Sequence, residues 1–401
     1  MKLVPLSFAI LALATLTIVS SCKDTETPIK TASWKKHVIE KPNTLPEGQP
    51  SSVNTVVAAD FDNDGQMDVI SSFDGKVFLY KGPQWERTVI LDEMPANWRG
   101  VHADRGCIHS TLMDVNGDGK MDYVGANRML FWLECPPNPF TDPWPLRLIN
   151  LEVNGAHCVI TGDVDSDGKL DLIANSWRDS KESTIPNSIT WLKVPEDPYE
   201  DKLWTPYVFA DKDAPGGNHY MGFGDVNKDG RPDIACAAKG GMPGGNWFAW
   251  WEQPENPEGP WKKHVLSDNE PGATNILPVD LDGDDHVDYV ASRGHGKGVL
   301  WFKGPEFTKI EIDPNISSPH SLEIGDINGD GFTDVVTCSA SLSGETVIYY
   351  NDGKGNFTRH VIDTKQASYD IRPVDMDGDG DLDILIAGHR SRNVVWYENL
   401  N

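Results

Sequence analysis

The sequence predicts an all-β, seven-bladed β-propeller built from four-stranded sheets. Three observations carry that expectation. An acidic nine-residue pattern recurs seven times, and each copy sits in the same succession of short strands. The one fourth strand missing at the C-terminal end of the chain is found at its N-terminal end.

The pattern is D-x-[DN]-x-D-G-x-x-D, starting at residues 60, 114, 163, 225, 280, 326 and 375. Successive starts are 54, 49, 62, 55, 46 and 49 residues apart, the span of one small sheet. Around each copy the order of segments is constant. An apolar stretch leads in (CVITGD before Asp163), and a β-branched run follows (LDLIANS). Next come an aromatic run (ITWLK), a Pro- and Asp-rich turn, and a closing run (LWTPYVF). These are four strands bounded by turn residues, with no helical periodicity, and radial repetition of such sheets is the propeller plan. Closing strands number six, and the last repeat ends at NVVWYENLN without one. The string SWKKHVIE at 33–40 supplies the seventh, so an N-terminal strand is expected to complete the last blade and leave no open edge.

The loops themselves suggest a hard cation. Oxygen ligands at positions 1, 3, 5 and 9, with glycine at 6, follow the spacing of oxygen-lined calcium loops. The candidate ligands are Asp60, Asp62, Asp64 and Asp68; Asp114, Asn116, Asp118 and Asp122; Asp163, Asp165, Asp167 and Asp171; and Asp225, Asn227, Asp229 and Asp233. The remaining loops offer Asp280, Asp282, Asp284 and Asp288; Asp326, Asn328, Asp330 and Asp334; and Asp375, Asp377, Asp379 and Asp383. The alternative is plain Asx-turn chemistry, which does not require four spaced acids. In the fifth loop Asp285 replaces the glycine, so that site is expected to be strained or empty. The loops hold 27 acidic residues against a net charge of −26, so the acidity of the chain is concentrated there. That balance argues against nucleic acid and anionic lipid as partners.

The N-terminus reads as an address. Met1-Lys2, the apolar run to Val19, and Ser20-Ser21-Cys22 resemble a bacterial lipoprotein signal. The expectation is a signal peptide over 1–21, a lipidated Cys22 with a tether to residue 33, and a propeller over 34–401. Localisation would be the bacterial cell envelope, with the membrane reached only through the lipid. The five later cysteines are odd in number and define no disulfide framework.

The acidic loops join first to second strands, so the first-strand starts and the second-to-third connections share the opposite face. Histidines collect there: His109, His157, His219 and His320 precede the leading Asp of their repeats by 5, 6, 6 and 6 residues. The connections add Arg128, Trp177, Arg178, Lys239, Arg293, His295, His389 and Arg390, and the segment before Cys107 adds His102 and Arg105. Innermost strands line the channel, so these residues are expected to ring its mouth. Imidazoles there could act as acid and base or bind a transition metal such as zinc, and arginines could hold a carboxylate or an enolate. His109, His157, His219, His320, Arg128, Arg178, His295 and His389 are the candidate catalytic residues. Trp177, Arg105, His102, Lys239, Arg293 and Arg390 are the candidates for substrate binding. Trp247 is expected near the opening as a stacking surface, and alanine at His157 or His219 is expected to leave melting almost unchanged. His37, His264 and His360 read as solvated outer-strand residues.

Two resemblances follow from these motifs. The acidic repeats resemble the VCBS/FG-GAP-like repeats of bacterial propellers over 33–401, in which calcium is structural. Only Gly222-Phe223-Gly224 echoes the FG element itself. The string FAWWEQPENPEGPWKKHVL, with a histidine before the inner strand, resembles the propeller domain of aldos-2-ulose dehydratases, whose cupin domains are absent here. That likeness implies β-elimination or dehydration of an oxidised sugar or uronic glycan. The rival expectation is a non-catalytic propeller that binds glycan or protein in the manner of integrin-like domains.

Overall fold

The computed structural model describes residues 30–42, 52–93, 106–127, 129–150, 152–153, 155–176, 185–199 and 203–401. The expected signal peptide, Cys22 and most of the tether lie outside them. The described residues form seven four-stranded antiparallel sheets and no helix. Blade one runs Thr55–Ala59, Asp68–Phe73, Lys76–Lys81 and Glu86–Leu91, and each sheet through blade six follows chain order in the same way.

Blade seven departs from that order as the sequence predicts. Its strands Asp370–Val374, Asp383–Gly388 and Asn393–Asn399 are completed by Trp34–Glu40. Trp34 pairs with Asn399 and Val38 with Val395, antiparallel. First and last segments of the chain therefore share one sheet, and the edge that Asn393–Asn399 would present is covered.

Apolar residues gather into seven clusters, one at each junction between neighbouring blades. The closing junction shows the principle: Ile39, Val69, Phe73 and Tyr80 meet Leu385, Val394 and Trp396. Second strands are buried along their whole length, as in Asp334–Ser339, because both faces of the sheet touch other blades. This explains why they read as continuous β-branched runs rather than as alternating strands.

Polar latches cross the same junctions. Gln253, Asn351 and Asn399, each at or just beyond the end of a third strand, donate their side-chain amides to the carbonyls of Val164, Leu281 and Ile327 in the preceding blade, at 2.8, 2.7 and 2.8 Å. All three latch residues are almost fully buried, so a missing partner would be costly. The five later cysteines are free and buried, so packing rather than disulfides holds the ring.

Candidate functional site

The acidic loops lie at one end of the ring and follow one hydrogen-bond plan. The first Asp accepts the N–H of position 6 in every loop and a second N–H from position 4 or 5: Asp60 takes those of Asp64 and Gly65 at 3.0 and 2.8 Å, and Asp375 those of Gly378 and Gly380 at 2.7 and 3.0 Å. The ninth Asp is buried and ties the loop to the end of the third strand. Asp383, for example, accepts N–H from Met376 at 2.8 Å and from Asn399 at 2.7 Å. Burial pushes the Asp68 and Asp233 carboxyls up to about 6, and those of Asp122, Asp171, Asp334 and Asp383 up to about 7.

Glycine at position 6 is a matter of backbone angle alone. A Cβ on Gly65, Gly119, Gly168, Gly230, Gly331 or Gly380 would meet nothing within 4 Å, yet φ is +85° to +98° at all six. Asp285 takes the same place with φ +63°, and its N–H still reaches Asp280 at 3.0 Å. The fifth loop is therefore strained as expected but keeps its geometry, at a cost on the order of 1 kcal/mol.

Carboxylates from positions 1, 3 and 9 converge within 4.8 Å in loops one, three, five and seven, the four with Asp at position 3. In loops two, four and six, Asn116, Asn227 and Asn328 place an amide oxygen there, which accepts the N–H of position 5. The Oδ1 atoms of Asp62, Asp165 and Asp282 are buried without a hydrogen-bond partner. Converged hard oxygens with spare lone pairs fit a calcium-type cation.

A feature that spacing alone did not reveal is an internal ammonium. Lys81, Lys193 and Lys303, at or next to third-strand ends, pair with positions 3 and 5 of loops one, three and five. The equivalent residues in loops two, four and seven are Glu134, Glu252 and Glu398. Loop seven thus carries five aspartates, and none of them has an ion-paired lysine or arginine among the described residues.

The opposite end gathers histidines, as predicted. His157 and His219 stack with ring centroids 3.9 Å apart, and His219 lies Nε2 to Nε2 against His295 at 2.9 Å. His320 lies edge-on to His219 and His295, with centroids 5.9 and 5.1 Å away. His389, Tyr369 and His320 form a stacked column at 3.5 and 3.8 Å. Burial holds the His157, His219 and His320 rings well below the ordinary histidine value, and neighbouring imidazoles reinforce the effect, so they are neutral.

His109 stands apart from this group. Its Nδ1 lies 3.0 Å from the Val159 carbonyl and its Nε2 3.2 Å from Arg372. Both nitrogens are engaged, which suits a bracket between blades better than a proton carrier. Arg293 is likewise committed, bonded to Glu270 and Glu311. Lys239 lies close enough to lower the His157 and His295 rings, and Arg390 is exposed beside His389. His102, Arg105, Arg128, Trp177 and Arg178 lie outside the described residues.

Two expectations are corrected by burial. Trp247 is 6% exposed, and its indole N–H donates to the carbonyls of Pro215 and Gly244, so it belongs to the core and offers no stacking face. The outer histidines are not merely solvated. His264 stacks on Trp250 at 4.2 Å and bonds Glu252 at 2.7 Å; His37 does the same with Trp396 and Glu398. The W-x-E…H rhythm is therefore a clamp between third and fourth strands on the outside of a blade, and it does not describe the channel.

Below the histidines lies a cavity of about 250 Å³ lined by His109, Tyr220, Asn275, Ser321, Glu323 and Arg372. Arg372 pairs with Asp370 at 3.2 Å and approaches Glu323 at 3.9 Å. Desolvation raises the Glu323 carboxyl to about 7, with Arg372 opposing it. Tyr220, Asp370, Arg372 and Glu323 were missed in the sequence. The available signal was charge within otherwise apolar inner strands, as in DIRPV and SLEIG.

A closed ring with acidic loops at one end and a histidine mouth at the other defines a repeat-built β-propeller. The model of the FG-GAP-like repeat matches residues 60–125, 114–174, 225–291, 280–337 and 326–386. The chain belongs to this FG-GAP-like repeat family. The stretch between the second and third matches lies within the widest loop spacing, from Asp163 to Asp225. No match is found among curated proteins.

Proposed function

We propose that this propeller is a carbohydrate-active protein whose histidine mouth carries out β-elimination on an oxidised sugar or a uronic glycan. The observation that supports this reading is the gathering of neutral imidazoles, His157, His219, His295, His320 and His389, at one end of the channel. His389 suits the base. Its Nδ1 is held by Asn54 Oδ1 at 2.8 Å and its ring is braced on Tyr369, which leaves Nε2 for a proton. The proton α to a carbonyl passes to that nitrogen, the C–H electron pair becomes the new C=C bond, and the β-oxygen leaves with the C–O pair and takes a proton from water, to which the imidazolium returns its own. Lys239 and Arg390 supply positive charge for a carboxylate or for the enolate. The acidic loops take calcium as structural cross-links, and export with lipidation at Cys22 places the protein in the cell envelope.

The test is incubation of purified protein with keto-sugars and uronic polysaccharides, followed by ultraviolet absorbance of the unsaturated product. New absorbance supports the reading. Glycan binding without any product from the whole panel would favour the non-catalytic alternative.

A further inference from the structure

We infer that His219, His295 and His320 form a binding site for a divalent transition metal of the zinc class, with one coordination position open to solvent. The inference concerns the metal alone and stands whether or not the mouth acts on sugars. The three residues come from three consecutive blades. His219 and His320 lie on the inner strands Asn218–Gly224 and Pro319–Gly325, and His295 on the turn between Asp288–Ser292 and Lys297–Lys303. One ring nitrogen from each lies within 4.8 Å of the other two. Tetrahedral zinc with Zn–N bonds of about 2.0–2.1 Å needs nitrogens about 3.3 Å apart, so small side-chain shifts complete the shell.

Protonation supports the same conclusion. His219 Nδ1 is 3.1 Å from the Gly217 carbonyl, and His320 Nδ1 is 3.1 Å from that of Tyr369. A carbonyl only accepts, so each Nδ1 carries the proton and each Nε2 keeps its lone pair. This outer-shell arrangement fixes the tautomer of metal-bound histidines. His320 Nε2 is buried, in a residue 1% exposed, with no hydrogen-bond partner. An orphaned acceptor there is costly unless something binds it. The set contains no carboxylate, which selects against calcium and magnesium and in favour of zinc, cobalt, nickel or copper. His295 is exposed, so the fourth position faces the mouth. Positive charge from nearby Lys239 favours an anion there, a hydroxide or a carboxylate.

The experiment measures zinc per chain by elemental analysis after dialysis of full-length protein against zinc and then against calcium-containing, zinc-free buffer. His295→Ala is the principal variant because its exposed ring supports little packing, and circular dichroism checks its fold. Wild-type protein is expected to retain about one zinc more than the variant, whatever the acidic loops hold. Cobalt in place of zinc is expected to give the visible bands of a tetrahedral imidazole site in wild type only. Equal zinc in the two proteins, or identical cobalt spectra, would overturn the inference. Zinc retained without turnover on any sugar would instead count against the substrate reading alone.

Discussion

His219 and His295 meet Nε2 to Nε2 at 2.9 Å, a spacing that two lone pairs cannot hold without a shared proton or a shared ion. The same relationship revises what mutation of the mouth should do. His157 and His219 are buried and stacked, not loosely held at a rim, so alanine at either leaves a cavity and lowers stability. Function is separable from folding only at the exposed and half-buried members of the group, His295 and His389.

Ring closure sets the first prediction. Trp34–Glu40 covers Asn393–Asn399, and Ile39 belongs to the apolar cluster joining blades seven and one. Deleting residues 23–40 should abolish cooperative melting or soluble expression. A truncated protein with an unchanged melting curve would contradict the closure.

Charge balance among the loops sets the second. Lys81, Lys193 and Lys303 compensate loops one, three and five, whereas Asp375, Asp377, Asp379, Asp381 and Asp383 have no such partner among the described residues. Chelation should therefore open blade seven first, since the carboxylates of an empty loop repel one another. Hydrogen exchange should show early loss of protection at Asp383–Gly388 compared with Asp171–Ser176. Equal loss across all blades would count against graded dependence.

The polar latches give a third. Asn351 Nδ2 donates to Leu281 at 2.7 Å and to Thr333 at 3.1 Å in a buried junction. Asn351→Ala should cost about 1–3 kcal/mol, because it strands buried carbonyls. Denaturant unfolding with an unchanged midpoint would refute the latch.

Glu323 gives a pH dependence with a definite sign. Its folded value of about 7 lies above the ordinary 4.5, so the native state holds a proton that the unfolded chain releases. Stability from this group is full below about 4.5 and is lost as pH rises through about 7. Glu323→Gln should remove that loss and gain about 2–3 kcal/mol at pH 8 relative to pH 5, while Arg372 keeps Asp370. Parallel pH–stability curves for variant and wild type would contradict it.

Much of this architecture was legible because it is local and repeated. Loop chemistry, strand order and the displaced fourth strand all leave marks within about ten residues. Histidines before inner strands were legible for the same reason. The arrangement of His295 against His219, and of Arg372 against His109, joins residues 76 and 263 positions apart, which no local pattern encodes. Trp247 misled because aromatic residues near an opening and aromatic residues in a junction look alike until burial separates them. The W-x-E rhythm is explained by a contact between neighbouring strands, and such a clamp repeats as faithfully as a site.

The most direct test of the central claim compares kcat/KM of wild type and His389→Ala on the uronic or keto-sugar substrate giving the largest absorbance change. Loss of the imidazole base should lower turnover about 10²–10⁴-fold. Melting should move less than for His157 or His219, because His389 is half-buried and loses one hydrogen bond to Asn54 and one stacking contact with Tyr369. Turnover equal to wild type in His389→Ala would contradict the proposal that this imidazole, at this end of the channel, does the chemistry.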